Sequence, residues 1–375
     1  MHNSAPFVNE STVQADVRYI PYSDAHLATF KMFTYLGSLT CLLGLCFNVI
    51  NITVFAKMGL KENITITLFF LSLANLCCCI AEIPLFIYLL NGWHPSNSWP
   101  FHPTSLVAIR NILADIPTFL DSSISTFLAV ARCLCIAKPL KFKVSFTRSR
   151  TFIILSFFPL LGSVKTIYQF MCVRIVKTLY MRQIMSMLIS DYKSHQTYII
   201  IEAIYSIVIN CVFSIICLLC LCIMAYKLKE ASQIRQALLR RSVGNPEQIN
   251  PEMKRGWKYG KGSKTVVGSA RSNIKSDGHY NMSTKDIKVV KCVVCVTLLF
   301  VSTKILSLTV SLLEIIRPKF STNVNTKIIS EIMSSFCVEI MLIGYSANIF
   351  VYYYYDSRFK RTLNNIATMK YKKQQ

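Results

Sequence analysis

Long apolar runs alternate along the chain with short polar, mostly basic, segments. Runs such as Phe30 to Phe55, Ile64 to Leu90 and Ile199 to Met224 each exceed the roughly 20 residues an α-helix needs to cross a bilayer core. Seven such spans are predicted, at about 28–56, 64–91, 104–137, 151–172, 197–228, 287–316 and 327–355. The expected fold is therefore all-α, a seven-transmembrane-helix bundle over residues 28–355. Residues 1–27 are a polar tail, without the charged start, apolar core and cleavage site of a signal peptide. The stretch from about 229 to 286 is rich in Gly, Ser, Asn and Lys, with Pro246 and Pro251, and predicts a flexible loop. No internal repeat is evident, which counts against a transporter built from duplicated halves.

Composition agrees with this pattern. Only 16% of the 375 residues are charged and 53% are hydrophobic, whereas soluble domains carry about a quarter charged residues. A net charge of +23 raises nucleic acid as a partner, but the basic residues lie between apolar spans instead of forming one stripe or tail. Their placement fits a lipid bilayer and no nucleic acid. Lys57 and Lys61, then Lys138 to Arg150, then the segment from Lys227 to Lys291, then Arg358 to Lys373 all fall on one side of a seven-span chain. The positive-inside rule makes that side cytosolic, with the C-terminus there and the N-terminus extracellular at the plasma membrane. The loop after the fourth span, with Arg174, Lys177, Arg182 and Lys193, is also basic and weakens the asymmetry without reversing it. Of fifteen cysteines, all but Cys172 fall in the spans or at their ends, where cysteine is mostly a packing residue. No disulfide framework is expected. No motif supplies a nucleophile–base pair or a phosphate loop, so no enzyme, catalytic residue, metal or cofactor is expected.

Polar residues inside the spans carry more information, because a charge at the centre of a membrane helix costs about 2.5–3.5 kcal/mol on insertion scales. Asn75 lies fourteen residues from Lys61, Asp121 eleven from Arg132, Lys304 thirteen from Lys291 and Asn348 ten from Arg358. At 1.5 Å per residue these are depths of roughly 15–21 Å, so four helices place a polar group in one layer near mid-membrane. This layer is either a hydrogen-bonded packing core or a conformational switch that also packs the helices.

Several motifs, in order and on the right spans, resemble the rhodopsin-like G-protein-coupled receptor family over most of the chain. Gly44-Leu45-Cys46-Phe47-Asn48 is similar to the family's Gly-x-x-x-Asn, and Leu71-Ser72-Leu73-Ala74-Asn75 to its Leu-Ala-x-x-Asp. Ala131-Arg132-Cys133 with Lys138-Pro139-Leu140 resembles the Asp/Glu-Arg-Tyr motif and the Pro-Leu of the second inner loop. Asn348-Ile349-Phe350-Val351-Tyr352 resembles Asn-Pro-x-x-Tyr, and Phe359-Lys360-Arg361 opens what would be a short amphipathic membrane-surface helix within 356–375. Departures are Ala131 in place of the acid, Ile349 in place of proline, and Lys304 at the tryptophan position of Phe-x-x-Cys-Trp-x-Pro, where Phe300 is retained. Leu106 and Val107 stand where a bridging cysteine is usual, while Trp99-Pro100-Phe101 keeps the outer-loop Trp-x-Phe pattern. This divergence looks like that of the invertebrate chemosensory and orphan branches.

The resemblance implies a receptor for an extracellular ligand, a chemosensory cue or a peptide, that activates a heterotrimeric G protein. Arg132, Tyr352, Lys138 and Pro139 are its implied coupling residues, although Arg132 could be an ordinary positive-inside anchor. Asn48, Asn75, Asp121, Phe300, Lys304 and Asn348 form its implied polar core. In that core the family's sodium-binding acid would sit at Asn75, which is neutral here. Lys304 would instead supply a built-in cation paired with Asp121 and hydrogen-bonded to Asn75 and Asn348, unless it snorkels outward. Ala114 at the aminergic aspartate position disfavours a biogenic amine. Asp115, Arg110, Glu82 and Glu339 are weaker ligand-binding candidates, with snorkelling as the alternative for the last three. A receptor-shaped protein that no longer signals, and a channel or transporter, stay open at this point. The outside N-terminus makes the Asn9-Glu10-Ser11 sequon a glycosylation site. Glycosidase should lower the apparent mass, and Asn9→Gln should abolish that shift. Protease access to the N-terminus from the cytosolic side alone would refute the topology.

Overall fold

The computed structural model describes residues 24–90, 103–137, 146–180, 183–190, 204–244, 284–316 and 324–374. Its helices are α1 (Asp24–Met58), α2 (Asn63–Leu90), α3 (Pro103–Ala137), α4 (Arg148–Cys172), α5 (Asn210–Gly244), α6 (Thr284–Ile316), α7 (Val324–Tyr355) and α8 (Ser357–Gln374). Among the described residues, α1 to α7 each contain a segment long and apolar enough to cross a membrane. The seven-helix bundle is thus as the hydrophobic pattern predicts, and six of the helices end within about four residues of the expected spans.

Two features depart from the sequence reading. The fifth helix does not end near residue 228 but continues to Gly244, into the expected loop. Its extension, Lys227-Leu-Lys-Glu-Ala-Ser-Gln-Ile-Arg-Gln-Ala-Leu-Leu-Arg-Arg, consists largely of strong helix formers, with Lys227 Nζ bonded to Glu230 Oε2 at 2.7 Å one turn on. The second is a hairpin after α4, read from the sequence only as a basic loop. Strands β1 (Val173–Tyr180) and β2 (Gln183–Ser190) pair antiparallel, with Val173 opposite Ser190 and Tyr180 opposite Gln183. The run Val173-Arg-Ile-Val-Lys-Thr-Leu-Tyr is rich in β-branched and aromatic residues, which suits a strand. β2 lies beside α3.

α3 occupies the centre of the bundle, in contact with α2, α4, α5 and α6, while α7 closes the ring by packing on α1 and α6. Small hydroxyl residues allow helices to approach closely in hydrocarbon, and Ser122, Ser123, Ser125 and Thr126 of α3 are all buried. Ile153, Phe157, Leu160, Val164 and Phe170 of α4 point outward. Such a surface would be untenable in water and is ordinary against lipid.

Helix ends are marked by local chemistry. α1 stops at Gly59, which has φ +80°, a left-handed conformation that glycine adopts without a Cβ penalty. Asp356 caps α8, its Oδ1 accepting from the N–H groups of Arg358 at 2.9 Å and Phe359 at 3.2 Å. Phe359 is fully buried against Phe55 and Tyr352, with ring centroids 5.2 and 5.7 Å away. The C-terminal helix expected on the membrane surface is therefore fastened to α1 and α7 by its first turn.

Gly44 sets the spacing of α1, α2 and α7. A Cβ there would lie 2.8 Å from Cys79 Sγ and 3.0 Å from Ser346 Oγ, closer than packed atoms tolerate. Gly44→Ala should lower stability by about 1–3 kcal/mol, read as a lower melting temperature in detergent. An unchanged melting temperature would show that this crossing has slack.

Candidate functional site

α3 carries three ionisable side chains in the part of the helix beyond mid-membrane from α8, and each crosses to a different helix. Arg110 reaches α2, where its Nε donates to both carboxylate oxygens of Glu82 at 2.9 Å. Asp115 reaches α4, accepting at Oδ1 from Lys165 Nζ at 2.8 Å. Asp121 reaches α6, with Oδ2 3.7 Å from Lys304 Nζ. Six residues separate Asp115 from Asp121, about one and two-thirds turns, which turns one toward α4 and the other toward α6. Every one of these charges would be costly alone in hydrocarbon; pairing offsets most of that cost.

The Asp121–Lys304 contact is the most enclosed of the three, with side-chain exposures of 7% and 4%. Lys304 therefore turns inward and does not snorkel. Phe300, one turn earlier on α6, places its ring centroid 5.7 Å from the ammonium, within cation–π range. The amides expected to reinforce the pair do not bond to it. Both polar atoms of Asn75 are buried without a hydrogen-bond partner among the described residues, as is Asn348 Oδ1. An asparagine side chain is short, so equal depth in the membrane does not bring it into bonding range. Asn348 does share a small cavity of about 20 Å³ with Asp121 and Tyr345, space on the scale of one water. Asn48 serves packing instead, donating from Nδ2 to the carbonyls of Gly44 at 2.9 Å and Tyr345 at 3.3 Å.

A larger cavity of about 190 Å³ lies on the side of the ion pair away from α8. Asp115 of α3, Lys165 of α4, Asn210 of α5, and Lys304, Ser307 and Ser311 of α6 contribute its polar lining. Ile209, the last residue of a π-helical segment Ile204–Ile209 that leads into α5, also lines it. Such segments in membrane and soluble helices are frequent at functional sites. Of the four weak ligand-binding candidates, only Asp115 lies on this wall. Arg110 and Glu82 are joined to each other, and the buried Glu339 accepts from Thr40 Oγ1 at 2.8 Å across to α1. Lys165 was missed by the sequence reading, although a lone lysine inside the apolar span 151–172 was the available signal.

At the α8 end, Arg132 is half-buried, with Nη1 3.9 Å from Cys135 Sγ. Tyr352 is fully enclosed, its ring edge-on to Phe55 at 5.2 Å. It is an internal packing residue in this conformation, not a surface contact. Asn9, Lys138 and Pro139 lie outside the described residues.

The fold and these buried pairs define a multi-pass membrane protein with a polar cavity inside a seven-helix bundle. No protein-family model matches the chain, and no curated protein matches it.

Breaking a buried pair by removing one partner costs about 3–5 kcal/mol, while removing both is often nearly neutral. Asp121→Asn and Lys304→Met should each lower thermal stability or surface expression, and the double variant should recover most of the loss. Additive losses would show that the 3.7 Å contact carries no coupling.

Proposed function

We propose that the chain is a rhodopsin-like G-protein-coupled receptor of a divergent, chemosensory type. It would sit in the plasma membrane with its N-terminus outside and its α8 end facing a heterotrimeric G protein in the cytosol. The observation that supports this reading best is the double position of Lys304. Its side chain lines the larger cavity and also holds Asp121 across the α3–α6 contact. A ligand in the cavity thus touches the residue that ties α6 to the centre of the bundle.

A ligand shifts an equilibrium only through contacts that differ between two states. Loosening the Lys304–Asp121 pair is such a difference. α6 runs without a break from Lys304 to Lys288 at the other end, so its outward movement there would uncover Arg132 for the G protein. Nothing acidic precedes Arg132, because position 131 is alanine. The arginine thus lacks the neighbour that restrains it in the resembling family, and basal activity should be raised. A second reading, a receptor-shaped protein that no longer signals, draws on the same Ala131 and on Ile349 in place of proline.

The two readings separate in one assay. With purified protein and G protein in vesicles, wild type should support basal nucleotide exchange, and Ala131→Glu should reduce it severalfold. Cells carrying the protein with a promiscuous G protein and a calcium reporter should then respond to some member of a ligand panel. Absent basal exchange, unchanged in the variant, together with a silent panel would favour the non-signalling reading.

A further inference from the structure

The chemistry of the larger cavity narrows its ligand. Two ammonium groups, Lys165 and Lys304, face it. The carboxylate on the same wall, Asp115, is in an ion pair with Lys165 through Oδ1 at 2.8 Å, so a cationic ligand would meet two lysines and an acid whose charge is already compensated. Lys304 is differently placed. Among the described residues the polar contact of its ammonium is the Asp121 carboxylate at 3.7 Å, beyond the about 2.7–3.2 Å of a hydrogen bond. The ammonium of a lysine whose side chain is 4% exposed therefore has donor capacity left over.

The hydroxyl groups of α6 point the same way. Ser302, Thr303 and Thr309 each donate back to a carbonyl of their own helix, at 2.8–2.9 Å. Ser307 and Ser311 line the cavity and make no side-chain hydrogen bond among the described residues. They stand three and seven residues beyond Lys304, on the same face of the helix. One side of the cavity is thus a row of donors consisting of an ammonium and two hydroxyls. The space, about 190 Å³, is on the scale of several waters and suits a small molecule. Phe119, Leu308 and Met341 supply apolar wall.

We propose that this cavity binds a small organic acid, whose carboxylate accepts hydrogen bonds from the Lys304 ammonium and the Ser307 hydroxyl. Its carbon skeleton lies against Phe119, Leu308 and Met341, and Ser311 faces its far end. The carboxylate competes with Asp121 for Lys304, which supplies the loosening of the α3–α6 pair invoked above. The signalling consequence rests on the receptor reading, whereas binding of the acid does not.

The test is thermal unfolding of the purified full-length protein with acetate, butyrate, lactate, benzoate and decanoate, each beside its amide. At least one of the four smaller acids should raise the melting temperature by about 3 °C or more at saturation, and its amide should not. Lys304→Met alone is expected to be damaged by its unpaired Asp121, so the decisive variant is Asp121→Asn with Lys304→Met. That double variant should fold and lose the acid-specific shift, and Ser307→Ala should weaken binding about tenfold. No acid exceeding its amide, a shift with decanoate only, or an undiminished shift in the double variant would each overturn the assignment. An acid that stabilises the protein but evokes no G-protein response leaves the site standing and counts against the receptor reading. A signalling response to a non-acid, without any acid shift, does the reverse.

Discussion

Hydrocarbon offers a charged side chain no solvent, and that constraint organises this bundle. α3 holds Arg110, Asp115 and Asp121 within the membrane, and each has its counter-charge on a separate helix: Glu82 on α2, Lys165 on α4 and Lys304 on α6. Apolar packing between membrane helices discriminates poorly among neighbours, since lipid tails are as apolar as leucine. Opposite charges discriminate well, because a mispaired charge is expensive. The three pairs thus fix three of the four helices around α3 and their rotation, and the cavity is the space left between two of the pairs.

The two ends of the bundle have different physics. Toward α8 the core is close-packed and largely apolar, with Phe55, Leu128, Met224, Val293, Tyr352 and Phe359 in one continuous cluster. The Phe55–Tyr352–Phe359 rings lock α1, α7 and α8 to one another. Away from α8, a smaller apolar cluster around Cys79, Phe86 and Leu342 shares the interior with polar contacts and cavities. A region of few apolar contacts has more than one arrangement of similar energy, whereas a dense core resists change. The region away from α8 is therefore the one that a ligand of the kind proposed above would engage, and the cluster toward α8 gives α7 and α8 a common frame.

The helices were legible because crossing a bilayer demands a length of apolar chain that little else in a sequence imitates. The depth of Asp121 and Lys304 was legible for the same reason, since helical rise converts residue number into distance. The partners of the remaining charges were not. Arg110 with Glu82, and Asp115 with Lys165, depend on helix rotation about axes that no single span reveals. Lys165, fifteen residues from Arg150, lies close to the same layer, but its partner too depends on helix rotation. The hairpin Val173–Ser190 and the extension of α5 to Gly244 lie outside the hydrocarbon, where hydrophobic run length has no bearing and local propensity decides.

The pairing pattern also bears on how the chain is made. Spans of a membrane protein leave the ribosome in order, and the acid and base of these pairs are separated along it. Glu82 and Arg110 sit on consecutive spans, as do Asp115 and Lys165, so each of those charges waits for only one further helix. Asp121 must wait until α6, two helices after α4, before Lys304 arrives. During that interval α3 carries an acid with no counter-ion, which favours its staying in a hydrated channel of the insertion machinery, or protonated, until the sixth span is released. The last of the three intramembrane pairs to form is the one between cavity and core, the same contact that the proposed ligand would later reopen.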